Sequence, residues 1–176
     1  MPFSIRPYRR FPVLCSMILV SMAAISLAGC ISGTVSAVSY SDPPQPTMFI
    51  VLSSDSPSRT ERIISARIED KMSARGYRQA TSLEAANIGV RYKYSVDPGN
   101  VSVDSNGQAD WEFPRHFQIA VIDLQKSKMP EKIEVLWQGE VYSMGTSTNM
   151  FLLAPVFIEA LFENYGETVT NKSFRK

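Results

Sequence analysis

Three sets of side chains in this chain have types and spacings that bear on chemistry: Cys30, His116, and the carboxylates of Asp97, Asp104 and Asp110. Cys30 closes the run Leu27-Ala28-Gly29-Cys30, where a thiol follows small residues and is open to alkylation. His116 is the only histidine, and no Cys after position 30 and no second His can complete a transition-metal set with it, so zinc is not expected. The three aspartates between 97 and 112 offer oxygen ligands for calcium, but their spacing fits no EF-hand, and a solvated acidic loop is the expectation. Ser143 and Ser147 lie in no G-x-S-x-G turn, and no glycine-rich phosphate loop is present. A glycosidase carboxylate pair is defined by distance rather than by spacing, so a hydrolase stays open as an alternative. The expectation from these residues is no catalytic constellation, no cofactor and no metal.

Cys30 gains meaning from what precedes it. Arg6, Arg9 and Arg10 form a basic head, and Val13 to Leu27 is an apolar run of Val, Leu, Ile, Met and Ala with a few Ser. A positive head, an apolar centre and a small-residue cut site describe a secretory signal peptide. The arginines stay on the cytoplasmic side, and the apolar run partitions into the bilayer. Leu27-Ala28-Gly29-Cys30 resembles the lipobox of bacterial lipoproteins, in which Leu27, Ala28 and Gly29 are read by the signal peptidase. The Cys30 thiol would then carry a diacylglycerol and become the first residue. The competing reading is a plain membrane-spanning helix over Phe11 to Ala28, which Pro12 and the Gly29-Cys30 ending disfavour.

Cleavage before Cys30 removes 29 of 176 residues and three of the 18 basic ones, leaving 15 basic against 17 acidic residues and a net charge of −2. The remaining length suits one domain with its own core. It carries no basic stripe of the kind that binds nucleic acid. Beyond Cys30 it has no cysteine, hence no disulfide.

The elements that must position any site follow in order. Ile31 to Pro46 is rich in Ser, Gly, Thr and Pro, and predicts a flexible tether of roughly 30–50 Å. Three segments are therefore expected: a signal peptide over 1–29, the acylated Cys and tether over 30–46, and a single α+β domain over 47–176. Met48 to Leu52 predicts a buried strand. Ser58-Arg59-Thr60-Glu61 predicts a capping box opening a helix to about Arg75, with Ile64, Ile68 and Met72 inward and Gly76 at its end. Tyr77 to Ala80 suggests a short extended piece, and Ser82 to Ala86 one helical turn. Ile88 to Val96 alternates apolar and polar residues, which predicts a half-buried strand. Asp97 to Glu112 predicts a loop. Phe113 to Leu124 predicts a strand and Ile133 to Val141 another, with Ile133, Val135, Trp137 and Val141 sharing the core face. Leu153 to Tyr165 predicts the closing helix, with Pro155 in its first turn.

Strands with a single apolar face must be covered on that side, and two helices with apolar stripes are available. The expected fold is a two-layer α+β sandwich: a mostly antiparallel sheet of about four strands with two helices packed on one face. The open face would carry Arg91, Lys93, His116, Gln118, Glu134, Gln138 and Glu140.

The chain also resembles a group of bacterial lipoproteins, the domain-of-unknown-function family DUF4136. The resemblance rests on the lipobox, on Ala74-Arg75-Gly76-Tyr77 at a helix end, and on Ile88-Gly89-Val90-Arg91-Tyr92. Val121-Ile122-Asp123-Leu124, Val135-Leu136-Trp137-Gln138-Gly139 and a closing apolar helix complete it. Ala85-Ala86-Asn87 stands where the family usually carries acidic residues. The resemblance implies a small α/β lipoprotein domain with no established activity. The functional expectation is a non-enzymatic binding or scaffolding domain in the bacterial envelope, held through Cys30 in a lipid bilayer. By the family rule for a residue other than Asp after the Cys, that bilayer is the outer membrane, facing the periplasm. Trp111, Arg91, Lys93 and Gln138 are the candidate contacts for an envelope protein partner. An accessory lipoprotein of an export or surface-assembly complex, and an envelope hydrolase, are the alternatives.

Overall fold

The computed structural model describes residues 30–41, 45, 47–103, 105–126 and 133–176. Residues Ile31–Lys176 form one compact unit, and the fold is that unit's. The predicted signal peptide, with Leu27, Ala28 and Gly29, lies outside the described residues, as do Asp104 and Lys132.

The chain builds β1 (Ser32–Ser39), β2 (Met48–Leu52), α1 (Arg59–Ser73), β3 (Arg78–Gln79), β4 (Ile88–Val96), β5 (Asn100–Val103), β6 (Ala109–Asp123), β7 (Glu134–Gly145), α2 (Met150–Phe162) and β8 (Val169–Arg175). The strands join in one open sheet in the order β3-β2-β4-β6-β7-β1-β8, with β5 attached to β6. β2 runs parallel to β3 and β4; the other pairs are antiparallel. The two-layer α+β arrangement is as expected, but the sheet has eight strands rather than about four.

Helix α1 starts at the predicted capping box. The Glu61 amide donates to Ser58 Oγ at 3.2 Å, and the Ser58 amide donates to Glu61 Oε2 at 2.7 Å. Ile64, Ile68 and Met72 are buried, and Gly76 at φ 87° turns the chain out of the helix. Helix α2 begins earlier than its apolar pattern suggested, because Asn149 caps it and accepts from the Phe151 amide at 3.1 Å. Pro155 therefore lies in the second turn, where it removes a helical hydrogen bond. Both helices cover the same sheet face, burying Phe49, Phe117, Ile119, Val121, Trp137 and Val141 against Ile64, Ile68, Phe157 and Leu161.

The predicted tether needs correction. Ser32–Ser39 is an inner strand, paired with β7 on one side and β8 on the other. Val35 and Ala37 alternate into the core at 1% and 2% exposure. The Ser and Gly residues that resemble a linker are what let this strand fit. A Cβ on Gly33 would stand 2.4 Å from the Tyr142 carbonyl oxygen. Ser32–Ser39, half of what the sequence offers as a spacer, is thus part of the domain, and the sheet begins two residues after Cys30.

Two further corrections bear on the site. The loop expected over 97–112 is largely a hairpin, β5 pairing with the first residues of β6. On β7 the register slips: Val121 faces Trp137, but Ile122 faces Val135, so Leu136 is the extra residue of a bulge. The bulge reverses which residues point inward. Trp137 and Val141 are buried as expected, but Ile133 is 57% exposed and Val135 lies with it on the other side.

Candidate binding face of the sheet

The side of the sheet away from the helices carries side chains in register across three adjacent strands. Gly89 of β4 pairs with Ile122 of β6, which pairs with Val135 of β7. Two residues along, Arg91, Ala120 and Gln138 form the next row, then Lys93, Gln118 and Glu140, then Ser95, His116 and Tyr142. Neighbouring strands lie ~4.8 Å apart and successive rows ~6.6 Å apart, so the four rows form a contiguous patch.

The patch is shallowly dished at two places. One basin of about 330 Å³ has a floor of Ala120, Ile122 and Val135, with Arg91, Lys93 and Gln138 around it. Its apolar end continues into Leu52 and Leu124. A Cβ on Gly89 would lie 3.0–3.1 Å from Ile122, Leu124 and Leu52, so the glycine keeps that end low. The second basin, about 450 Å³, is polar and lined by Lys93, Ser95, Asp97, His116 and Glu140. Lys93 and Gln118 line both, so the two form one surface.

His116 lies between two carboxylates. Its Nε2 is 3.5 Å from Asp97 Oδ2 and its Nδ1 is 3.3 Å from Glu140 Oε1, with the Tyr142 ring centred 5.0 Å away. Among the described residues no group of three or more His, Cys, Asp or Glu side chains is placed to hold a metal ion. Of the aspartates of the predicted loop, Asp97 and Asp110 are not gathered. The Asp97 amide donates to the Pro114 carbonyl at 2.9 Å, while Asp110 lies four residues away along β6, ~13 Å at strand spacing.

Arg91, Lys93 and Gln138 line one basin, and His116, Gln118 and Glu140 join the same face. Glu134 does not. It pairs with Asp123 beyond the bulge, and its carboxylate accepts from Lys126 Nζ at 2.7 Å. Trp111 is exposed, but it belongs to the opposite face of β6, five residues from His116 and in phase with the buried Phe117. The apolar floor was missed because Ile133 and Val135 were assigned to the core. The adjacent buried pair Leu136-Trp137 is the signal of a bulge, since a regular strand alternates.

On the helix side, Tyr165 is pushed far above the usual tyrosine range, chiefly by burial. Arg75, lowered by burial, lies over the rings of Phe162 and Tyr165, 5.0 and 5.4 Å from their centres. These groups bind the helices to one another. Cys30 is exposed and its thiol is free. No helix among the described residues is long and apolar enough to cross a membrane.

Helices on one side and an uncovered, register-aligned face on the other define a two-layer α+β domain with an open mixed sheet. No family model and no curated protein sequence matches the chain. Its likeness is to solved structures. A PDZ domain protein from Parabacteroides distasonis matches with a TM-score of 0.58 at 15% identity, over 91% of this chain and 42% of its own. This chain thus spans less than half the length of that protein. A DUF4136 family protein from Bacteroides thetaiotaomicron matches with a TM-score of 0.48 at 17% identity, over 74% of this chain and 94% of its own. A PelC dodecamer from Paraburkholderia phytofirmans matches with a TM-score of 0.44 at 16% identity, over 78% and 99%. A protein of the DUF4136 family, which the short motifs resemble, is thus among these neighbours. At 15% identity the likeness to the PDZ domain protein is one of fold.

Proposed function

We propose that this chain is a non-enzymatic domain of the bacterial envelope, anchored by acylation of Cys30, that binds a protein partner across the open face of its sheet. The observation that carries the reading is the basin of Arg91, Lys93 and Gln138 over Ala120, Ile122 and Val135. Two cations beside an apolar floor suit a partner surface with a carboxylate next to an apolar side chain. The cations supply orientation and the floor supplies burial. Anchoring rests on Leu27-Ala28-Gly29-Cys30 and on the exposed, unpaired thiol of Cys30 that closes it. The bilayer is proposed to be the outer membrane, with the domain in the periplasm. With β1 starting at Ser32, the domain sits against that bilayer rather than on a spacer.

The test places a photocrosslinking residue at Gln138 in living cells. A discrete crosslinked partner is expected, and Arg91→Glu with Lys93→Glu removes it. A crosslink pattern unchanged by the charge reversal sinks the binding proposal. Anchoring is read separately, by feeding cells an alkyne fatty acid. The chain is labelled, and Cys30→Ala abolishes the label. Equal labelling of the two sinks that part alone.

A further inference from the structure

The β5–β6 hairpin has no role in the open face, yet it gathers three of the exposed large apolar side chains among the described residues. Val101 pairs with Trp111 and Val103 with Ala109, so these four side chains share one side of the ribbon. Asn100, Ser102, Asp110 and Glu112 share the other. Val101, Val103 and Trp111 are 51%, 64% and 58% exposed. Trp111 stacks on Phe113, with ring centres 6.5 Å apart, and Gly99 lies against the Phe113 ring. A two-stranded ribbon with one apolar and one polar side suits a boundary between an apolar and an aqueous medium.

Strand register shows where it lies. Thr34 pairs with Tyr142, and Tyr142 with His116. Counting three residues back along each chain brings Ile31 level with Phe113. Ile31 is held there, since it exchanges backbone hydrogen bonds with Lys176 at 3.0 and 2.9 Å. The residue before Ile31 in sequence is Cys30, and Trp111 lies only two residues beyond Phe113. The lipid attachment point and the exposed tryptophan therefore leave the sheet from the same end, at nearly the same depth. Leu152, 60% exposed in the first turn of α2, follows β7 at this end as well.

We propose that the β5–β6 hairpin is a second membrane contact, lying in the lipid interface with Val101, Val103 and Trp111 toward the acyl chains. The proposal rests on the acylation of Cys30. A membrane-spanning role is excluded by physics. The tip Ser105-Asn106-Gly107-Gln108 is polar, and the outer edge of β5 pairs with no strand among the described residues, which hydrocarbon does not tolerate. The hairpin instead lies along the surface, the strand counterpart of an interfacial amphipathic helix, with Trp111 at headgroup level. Residues 99–112 contain no Lys or Arg, and Asp110 and Glu112 lie on the polar side, so contact with a zwitterionic bilayer is apolar and insensitive to salt. Together with the anchor it fixes the orientation of the domain, which a lipid chain alone leaves free to rotate.

The test uses the full acylated chain reconstituted in phosphatidylcholine vesicles whose acyl chains carry bromine, a short-range quencher of tryptophan. The chain has two tryptophans, and Trp137 is buried in the core. A quenched fraction of the emission is expected in the wild type, unchanged by high salt and lost in Trp111→Phe. Equal quenching in the two proteins overturns the proposal. So does shielding of Trp111 that appears without lipid and grows with protein concentration, since a second copy would then cover it. The mass of the N-terminal peptide is read in the same sample. An unacylated peptide overturns the anchor, whereas an acylated chain with unquenched Trp111 overturns the hairpin contact alone.

Discussion

Arg115 and Ser143 face each other across β6 and β7, both buried, with Arg115 Nη2 donating to Ser143 Oγ at 2.8 Å. The Ser143 hydroxyl donates in turn to the Ser32 carbonyl at 2.6 Å, so one side chain joins three strands where β1 begins. Arg115 also donates to the carbonyls of Met144 and Ser147. Burial lowers its pKa, and its Nε is buried without a partner among the described residues.

Ser143→Ala removes the acceptor that Arg115 uses and the donor that Ser32 uses. Leaving such buried groups unsatisfied costs about 1–3 kcal/mol. A fall in the urea midpoint with an unchanged slope is expected. A midpoint equal to wild type would show that water replaces the hydroxyl at no cost.

Val35 discriminates between a tether and a strand. In a mobile linker Val35→Ala is neutral; in an inner strand it deletes buried methyl groups and costs about 1–2.5 kcal/mol. Amide hydrogen exchange supplies the parallel reading. Thr34 to Val38 exchange slowly if β1 lies between β7 and β8. Exchange as fast as in an unstructured peptide rejects the strand.

This strand also shows where the sequence is readable. β4 and the central part of β6 were legible because each is half-buried, so apolar and polar residues alternate without interruption. α1 was legible through its cap and its four-residue stripe. β1 uses Ser, Gly and Ala, whose small size fits them between two strands, and composition alone cannot separate that from a linker. β8 lies at the sheet edge, with Thr, Asn, Lys and Ser exposed and only Val169 and Phe174 half-buried, so its pattern carries almost no signal. The polar part of the open face was legible for the same reason as its strands. Its apolar floor was not, because a bulge inverts parity, and a bulge is decided by the pairing of distant residues.

Acid destabilises the capping box of α1 in a predictable direction. The backbone N–H and then the hydroxyl of Ser58 hold Glu61 below its ordinary value of 4.5. A carboxylate depressed on folding contributes stability that is complete above its unfolded pKa and is lost as pH falls through the folded one. Glu61→Gln abolishes that titration while keeping an acceptor for the Ser58 amide. The variant is expected to lose less stability than the wild type as pH drops below about 4, read from urea midpoints across the acid range. Equal losses would assign the acid sensitivity to other carboxylates, Glu159 beside Lys71 foremost.

Gly139 and Trp137 form a tightly constrained pair in the core. A Cβ on Gly139 would stand 2.6 Å from Cη2 and 2.8 Å from Cζ2 of the Trp137 ring, and 2.8 Å from Leu161 Cδ2. The indole is packed in turn against Phe162 and Tyr165, with ring centres 6.4 and 5.1 Å away, so it cannot retreat. Gly139→Ala is expected to cost about 1–3 kcal/mol through this overlap. Trp137→Phe removes the two overlapping carbons and the indole Nε1, which is buried without a hydrogen bond among the described residues. The double variant should therefore lose less than the sum of the singles, with a coupling of about 0.5–3 kcal/mol in a double-mutant cycle. Additive losses would mean that Leu161, not the indole, enforces glycine at this position.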